Sequence, residues 1–425
     1  MLTRLKLHRF RYIKPGTELM FTERFNVLLG KNGTGKTTLL QLISMVLRSD
    51  FSQLRDEEFD IEYELSHLLG TGLIRFENKR KPHPPETSPR GGAKLRQHHP
   101  RVHATLRAKR GGAAQECEVE IDGAAATWRR GGGAWVESDA VDAFEGSLVM
   151  QISSIISSDG SELENEEFHQ VLHGFELAGG WAYRFDESLE VFDSITDANR
   201  TPRPGRVPPI SLETEERYLA GRMTFVPFEY RPVLPQPGQS SAKVELPTKS
   251  SLATFPVLSG IKTMTMSFAV EGSRKELDGR LWWTFGRAEF LFSGAKGSVF
   301  THNVLSYGQK RLLAFLYYLD ANTNYVIADE LVNGMHHEWI HACLDKIGTR
   351  QAFLTSQNPL LLDYLPLESV EQVQRSFIQC RTEVVDDEPQ IIWSNLAAED
   401  AAELFADYQV GIQHVGEILR ARGLW

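Results

Sequence analysis

Apolar and polar positions alternate over residues 2–10, with Leu5 and Leu7 on one face, and this period of two predicts an opening strand. A turn at Lys14-Pro15-Gly16-Thr17 and a second strand follow. The run Val27-Leu28-Leu29 is continuously apolar, as in a strand buried on both faces, and it leads straight into a glycine-rich segment. Residues 37–47 then carry Leu39, Leu40, Leu42, Ile43, Val46 and Leu47 at helical spacing. From about 60 to 145 short alternating segments (61–65, 73–76, 102–106, 117–121) are separated by Gly and Pro clusters, which predicts an antiparallel subdomain with a long loop at 79–100. Residues 161–199 read as helical. Pro-rich connectors at 201–209 and 231–247 flank a strand at 223–227, and strands return at 281–285 and 288–292. From 303 onward the order is helix, buried strand, helix, buried strand. The expected fold class is α/β in three segments: an N-terminal lobe with a β subdomain (1–150), a helical insertion (151–300) and a C-terminal lobe (301–425). The last segment ends in one amphipathic helix, residues 401–425, with Leu404, Tyr408, Ile412, Val415 and Leu419 on one face and Trp425 at its end. No repeat of 20–50 residues and no heptad run is visible.

Composition sets the class without changing this picture. At 425 residues, 41% hydrophobic and 24% charged, the chain has the balance of a soluble protein of two or three domains. Its three cysteines, Cys117, Cys343 and Cys380, are far apart and form no CxxC, which points to a reducing compartment and away from disulfides or a thiolate metal site. The start is not a signal peptide, and no apolar run approaches the roughly 20 residues that span a bilayer, so a cytoplasmic protein without membrane contact of its own is expected. Charge does change the picture. The net −10 conceals a stretch, 75–110, in which eleven Lys or Arg stand against two Glu. A solvated loop, a contact with nucleic-acid phosphates and a dock for an acidic protein all fit that stretch.

The chemistry is concentrated in three places. Gly30-Lys31-Asn32-Gly33-Thr34-Gly35-Lys36-Thr37-Thr38 fits GxxxxGK[ST] between a buried strand and a helix, the context a phosphate-binding loop requires. Its glycines let backbone N–H groups approach phosphates, and the helix start adds partial positive charge. Lys36 is placed to reach the β- and γ-phosphates and Thr37 to ligate Mg²⁺. Tyr325-Val-Ile-Ala-Asp329-Glu330 is an apolar strand ending in two carboxylates, Asp329 suited to the Mg²⁺ and Glu330 to act as general base on an attacking water. Leu305-Ser306-Tyr307-Gly308-Gln309 lies shortly before that strand and opens a helix expected over 310–319.

This last segment, with the Asp-Glu strand after it, resembles the signature motif of the ABC ATPase superfamily. It is most similar to the soluble branch that includes RecF, the structural-maintenance-of-chromosomes heads and the overcoming-lysogenization-defect ATPases. Asn333-Gly334-Met335-His336 resembles that branch's D-loop, and residues 353–360 its switch segment. The resemblance covers about 1–50 and 300–365. It implies ATP and Mg²⁺ as cofactors, ATP hydrolysis, and a homodimer or higher homo-oligomer in which Ser306, Gly308 and Gln309 meet the γ-phosphate held by the other subunit. It also implies a Q-loop ligand to Mg²⁺, for which Gln151 is the candidate against an ordinary buried strand end. Tyr12 is open between stacking on adenine and a plain strand-end aromatic. Where the superfamily commonly has a His at the switch, this chain has Gln357, whose amide takes up no proton near neutral pH, so hydrolysis is open between ordinary turnover and a slow form with ATP mainly as a clamp. By the same resemblance the expected role is the ATPase or sensor of a prokaryotic anti-phage defence system with a separate effector such as a nuclease. The rival is a RecF-like ATPase acting on DNA itself, and a transporter subunit fits poorly with so long an insertion between P-loop and signature. His337-Glu338-Trp339-Ile340-His341 matches the zinc-protease pattern HExxH, yet it falls within the D-loop and its following helix and has no third ligand at suitable spacing. Asp386-Asp387 reads as a solvated turn.

Overall fold

The computed structural model describes residues 1–80, 98–110, 113–158, 165–180, 182–186, 210–212, 230–232, 239–275, 281–294, 296–385, 388–410 and 414–423. In chain order the first elements are β1 Leu2–Phe10, β2 Thr17–Met20, β3 Phe25–Leu29, α1 Lys36–Arg48, β4 Phe59–His67, β5 Gly70–Arg80, β6 His98–Arg110, β7 Ala113–Asp122, β8 Ala125–Arg130, β9 Val136–Ser138, α2 Leu148–Ser157 and α3 Glu166–Gly179. The middle holds β10 Ile210–Leu212, β11 Arg231–Pro232, β12 Ser241–Glu245, α4 Phe255–Ser259, β13 Thr263–Lys275, β14 Leu281–Ser293, β15 Val299–Thr301, α5 Tyr307–Ala321, β16 Tyr325–Ala328 and α6 His337–Ile347. The chain closes with β17 Gln351–Thr355, α7 Leu360–Asp363, α8 Val370–Ser376, β18 Phe377–Val385, β19 Glu388–Asn395, α9 Ala398–Val410 and α10 Val415–Ala421. Two compact units result, one of Met1–Ala182, Arg350–Thr355 and Leu365–Trp425, the other of Tyr183–Thr349 and Ser356–Tyr364. This division does not follow the three segments read from the sequence: the first break falls after Ala182, and the last segment contributes to both units.

The first unit is built on two sheets. One is antiparallel, in the order β2-β1-β4-β5-β6-β7-β8-β9. Its strands alternate as the period of two requires, with Ile61, Tyr63, Phe76, Val102, Leu106, Val119 and Ile121 buried. Phe51, Phe59, Phe76 and Phe144 form a ring cluster beneath it, Phe59 and Phe76 meeting edge to face at 5.0 Å. The other sheet runs β17-β3-β18-β19. β3 lies parallel to β17 and β18, and every residue of β3 and β17 is buried, the consequence of cover on both faces. Gln351 is buried in this layer, and its amide exchanges both hydrogen bonds with the Leu2 backbone (2.9 and 2.7 Å) and donates a third to the Thr22 carbonyl (2.8 Å), so the buried amide is satisfied.

The second unit also carries a sheet, and here the reading of 151–300 as a helical insertion needs correction. Among the described residues of that segment the helices are α2, α3 and the short α4, whereas β10-β14-β13-β12-β11, with β15 on β14, form an antiparallel sheet. The reason is visible in Thr263-Met-Thr-Met-Ser-Phe268, a polar–apolar alternation that buries Met266 and Phe268 on one face. The strand expected at 223–227 lies outside the described residues. In the same unit α5 buries Leu312 through Leu319, and all of β16 is buried. Asp320 anchors α5: its carboxylate accepts from the Tyr230 hydroxyl (2.7 Å), the Ser251 and Leu252 backbone (2.7 and 3.1 Å) and the Ser250 hydroxyl.

Two smaller expectations also change. The helix after the signature begins at Tyr307 rather than at residue 310, because Ser306 caps it. The tail is two helices, α9 and α10, with His414 as the cap residue of the second; Leu404, Val415 and Leu419 are buried as expected, Tyr408 is half-buried, and Ile412 and Trp425 lie outside the described residues. Among the described residues no helix is long and apolar enough to cross a membrane.

Candidate functional site

In the first unit the loop from Gly30 to Thr37 joins β3 to α1, and its geometry explains its glycines. Gly30 has φ 145°, and a Cβ there would stand 2.1 Å from the Cys380 carbonyl oxygen of β18, so only glycine lets the loop cross that strand. Gly35 caps α1 at φ 81°, and a Cβ would lie 3.2 Å from the Trp393 ring. Lys31, Asn32 and Gly33 are exposed, as is Thr37; Thr38 is half-buried. Thr34 is buried and its hydroxyl donates to the Lys31 carbonyl at 2.8 Å, which closes the loop on itself. The Lys36 ammonium folds back over the same arc and donates to the carbonyls of Gly30 (2.7 Å) and Lys31 (2.9 Å). A fixed cation at a helix start beside a run of glycine N–H groups is a site for polyanionic phosphate.

The hairpin β18–β19 is the floor of this loop, a role the sequence reading missed. The buried indole of Trp393 donates to the Thr34 carbonyl at 3.2 Å. Ile391 touches the Gly35 position at 3.4 Å, and its backbone accepts from Lys14 N (2.8 Å) and donates to Tyr12 O (3.0 Å). Tyr12, 79% exposed, therefore lies one strand away from the phosphate loop. Cys380 contributes its carbonyl only: burial pushes its thiol up to about 12, against a smaller opposing effect of Lys36, so it is no thiolate near neutral pH. Cys117, also raised to about 12 by burial, and Cys343, raised by burial as well, are free thiols.

Gln151 is not at a strand end. It lies in the first turn of α2, where its amide nitrogen donates to the Glu145 carbonyl at 2.8 Å. The donor set proposed for Mg²⁺, a threonine hydroxyl, an aspartate and an amide oxygen, consists of the hard oxygen ligands that this ion takes alongside water and phosphate.

In the second unit the strand β16 delivers Asp329 and Glu330, both half-buried, and Glu330 turns the chain at φ 48°, a left-handed value uncommon outside glycine. Both Glu330 carboxylate oxygens are engaged by amides, Oε2 by Asn333 Nδ2 and Oε1 by Gln357 Nε2. The structure thus brings together the proposed base and the switch residue, 27 positions apart in the chain. Asn333 opens the segment likened to a D-loop, and Arg311 is a further member that the motifs had not singled out, donating to the backbone carbonyls around Glu330.

At the signature, Ser306 Oγ accepts from Gln309 N (3.3 Å) and Gln309 Oε1 accepts from Ser306 N (2.9 Å), a capping box that starts α5. Gly308 is buried, and a Cβ there would stand 2.5 Å from the Gly334 carbonyl oxygen, so the helix start and the D-loop meet backbone to backbone. Of the HExxH pair, His341 bonds Asp345 (3.0 Å) and meets the Tyr364 ring, while the His337 ring lies tilted beside that of His336, 4.2 Å between centres. Among the described residues no group of three or more His, Cys, Asp or Glu is arranged to hold a metal.

The basic stretch is largely paired where it is described. Arg75 makes two bonds to Asp60 (2.9 and 2.7 Å), Lys79 meets Glu77 (2.6 Å), Arg101 Asp122 (2.9 Å) and Arg107 Glu116 (2.9 Å), mostly across strands of the large sheet. His99 and Arg101 together hold the Asp122 carboxyl below its ordinary range. Lys109 is exposed, and Lys81, Arg90, Lys94 and Arg96 lie outside the described residues.

Residues 4–126, which contain the phosphate loop, match the family described as AAA domain. No curated protein sequence matches the chain. Among solved structures it is similar to the SMC head domain from Thermotoga maritima (13% identity over 93% of this chain and 99% of that one, TM-score 0.37). It is also similar to an Smc head domain with a coiled coil and joint from Pyrococcus yayanosii (11%, 96% and 99%, TM-score 0.38) and to the recombination mediator protein RecF (12%, 93% and 98%, TM-score 0.34). By its motifs and the matched AAA domain the chain is similar to the soluble ABC-type P-loop ATPases.

Proposed function

We propose that this protein binds and hydrolyses ATP as a soluble ABC-type ATPase, and that ATP closes two copies around composite sites. The observation that carries the reading is Glu330 at the end of a buried strand with its carboxylate held by the amide of the switch residue Gln357. We read a carboxylate so fixed as the base that takes a proton from a water aligned on the γ-phosphate. The loop from Gly30 to Thr38 supplies backbone N–H groups and the Lys36 ammonium for the phosphates. The exposed Tyr12, one strand from that loop, offers a ring for adenine. Thr37, Asp329 and Gln151 are the residues that would hold Mg²⁺, which would neutralise charge on the phosphates. Ser306, Gly308 and Gln309 serve the partner copy's nucleotide.

For the biological setting we propose the ATPase of a prokaryotic anti-phage defence system, acting with a separate effector. The surface ion pairs of Arg75, Lys79, Arg101 and Arg107 make that face less positive than its sequence suggests, which lowers the counterion release that a DNA contact there would bring. The DNA-acting, RecF-like alternative predicts salt-sensitive binding to DNA that falls when Lys109 and its neighbours are replaced.

The ATPase assignment is tested with two variants of the purified chain. Lys36→Ala abolishes ATP binding, and Glu330→Gln keeps binding while turnover falls by about a hundredfold or more, the usual weight of a general base. Wild-type hydrolysis in Glu330→Gln sinks the assignment of that residue.

A further inference from the structure

Arg311 is out of place on local grounds. It sits early in α5, where the helix start is already partly positive, and immediately before a run of buried apolar residues. Its side chain is half-buried, with the guanidinium 5.2 Å from the centre of the Phe185 ring. From there Nε donates to the Leu331 carbonyl at 2.8 Å, and Nη2 donates to the Glu330 carbonyl at 2.5 Å and the Asp329 carbonyl at 3.3 Å. Three successive carbonyls converge on one guanidinium. An extended strand alternates its carbonyls and offers no such convergence; the left-handed turn at Glu330, φ 48°, provides it. The planar, multidentate head of arginine fits this duty, whereas a lysine ammonium is a single point charge.

We propose that Arg311 is a positioning residue for hydrolysis: it holds the left-handed turn that aims the Glu330 carboxylate and ties that turn to the start of the signature helix. The inference rests on the reading of Glu330 as the base. A second contact makes the tie stiff. Gly308, three residues before Arg311 in α5, comes so close to Gly334 that a Cβ there would stand 2.5 Å from the Gly334 carbonyl oxygen, and Gly334 follows Glu330 and Asn333 in the chain. The helix start is thereby fastened at Arg311 to the carbonyls of residues 329–331 and at Gly308 to the D-loop. Ser306 and Gln309, the cap of that helix, cannot shift on a phosphate without moving the backbone that carries Glu330. Nucleotide sensed at the signature is in this way transmitted to the base within one chain.

The test uses the full-length protein, ATP affinity and single-turnover hydrolysis. Arg311→Met keeps the aliphatic stem against Phe185 and removes the donors. It is expected to lower the hydrolysis rate by about tenfold or more, since small misplacements of a catalytic group have effects of that order, with ATP affinity within about twofold of wild type. Arg311→Lys, reaching one carbonyl in place of three, falls between. In the Glu330→Gln background Arg311→Met adds no further loss, because the two act through one group. A wild-type rate in Arg311→Met overturns the proposal, as does a loss of equal factor in both backgrounds, which marks a merely structural arginine. Should Arg311→Met not fold, Arg311→Lys decides: reduced rate at intact affinity supports the role, and an unchanged rate overturns it. A fully active Glu330→Gln removes the base assignment and this inference together, whereas an inactive Glu330→Gln beside a fully active Arg311→Met removes only the role of Arg311.

Discussion

Gln357 donates its amide N–H to Glu330, and this one contact decides how its replacement behaves. A neutral imidazole can keep the donor role, and unlike an amide it can also take up a proton near pH 6.5. Gln357→His is therefore expected to leave ATP affinity unchanged and to raise turnover, by about tenfold at most, with a new pH dependence between 6 and 7. Rates of the two proteins measured across that range check it; a tenfold fall in the variant shows that the amide is itself a productive part of the site. Lys36, Glu330 and Gln357 are proposed from contiguous motifs in a fixed order along the chain, and the structure adds that Glu330 and Gln357 are hydrogen-bonded. Arg311 and Trp393 are not proposed from the sequence, because their contributions are hydrogen bonds to backbone carbonyls far along the chain, for which no local pattern exists. The one available signal was Arg311 itself, a cation heading a buried helical run.

The hairpin β18–β19 supports the phosphate loop as an element, with the Cys380 carbonyl under Gly30 and the Trp393 indole under Thr34 and Gly35. Trp393→Phe keeps most of the packing and removes the bond to the Thr34 carbonyl. Such a bond contributes about 0.5–1.5 kcal/mol net, so ATP affinity is expected to weaken by up to about tenfold if the whole effect falls on the loop. Calorimetric titration of Trp393→Phe with ATP, beside its melting temperature, separates loop support from global stability; unchanged affinity with a lowered melting temperature assigns the indole to the core alone. Elements with a clean period were legible at this scale. β3 and β16 read as buried strands, and the alternation of β4 to β7 read as antiparallel sheet. The middle of the chain did not, because a helical impression from residues 161–199 was extended over strands whose own alternation, as in Thr263 to Phe268, argued otherwise. The tail failed for a related reason: apolar spacing continues from Leu404 to Leu419, but periodicity does not record where a helix ends and a second one is capped.

At the scale of the whole molecule the phosphate loop belongs to one compact unit, and Glu330, Gln357 and the signature belong to the other. The proposed pairing adds a further separation, in which Ser306 and Gly308 of one copy would complete the site of a second copy. The capping box bears on this. Ser306 Oγ and Gln309 exchange bonds at an exposed helix start, so a phosphate reaching Ser306 meets backbone N–H groups and the positive end of α5 together. Ser306→Arg, bulky at that point, is expected to leave each copy able to bind ATP and to prevent ATP-driven pairing. Lys36→Ala is inactive for the opposite reason, an intact signature with no bound nucleotide. Mixed in equal amounts, the two variants form a heterodimer in which one composite site has both halves intact, so about half of the wild-type activity per heterodimer returns if the sites act independently. Light scattering in the Glu330→Gln background with ATP reports the paired species, and hydrolysis by the purified heterodimer reports the rescued site. Full activity of Ser306→Arg alone, or no recovery in a verified heterodimer, removes the shared site and leaves ATP binding by the single chain untouched.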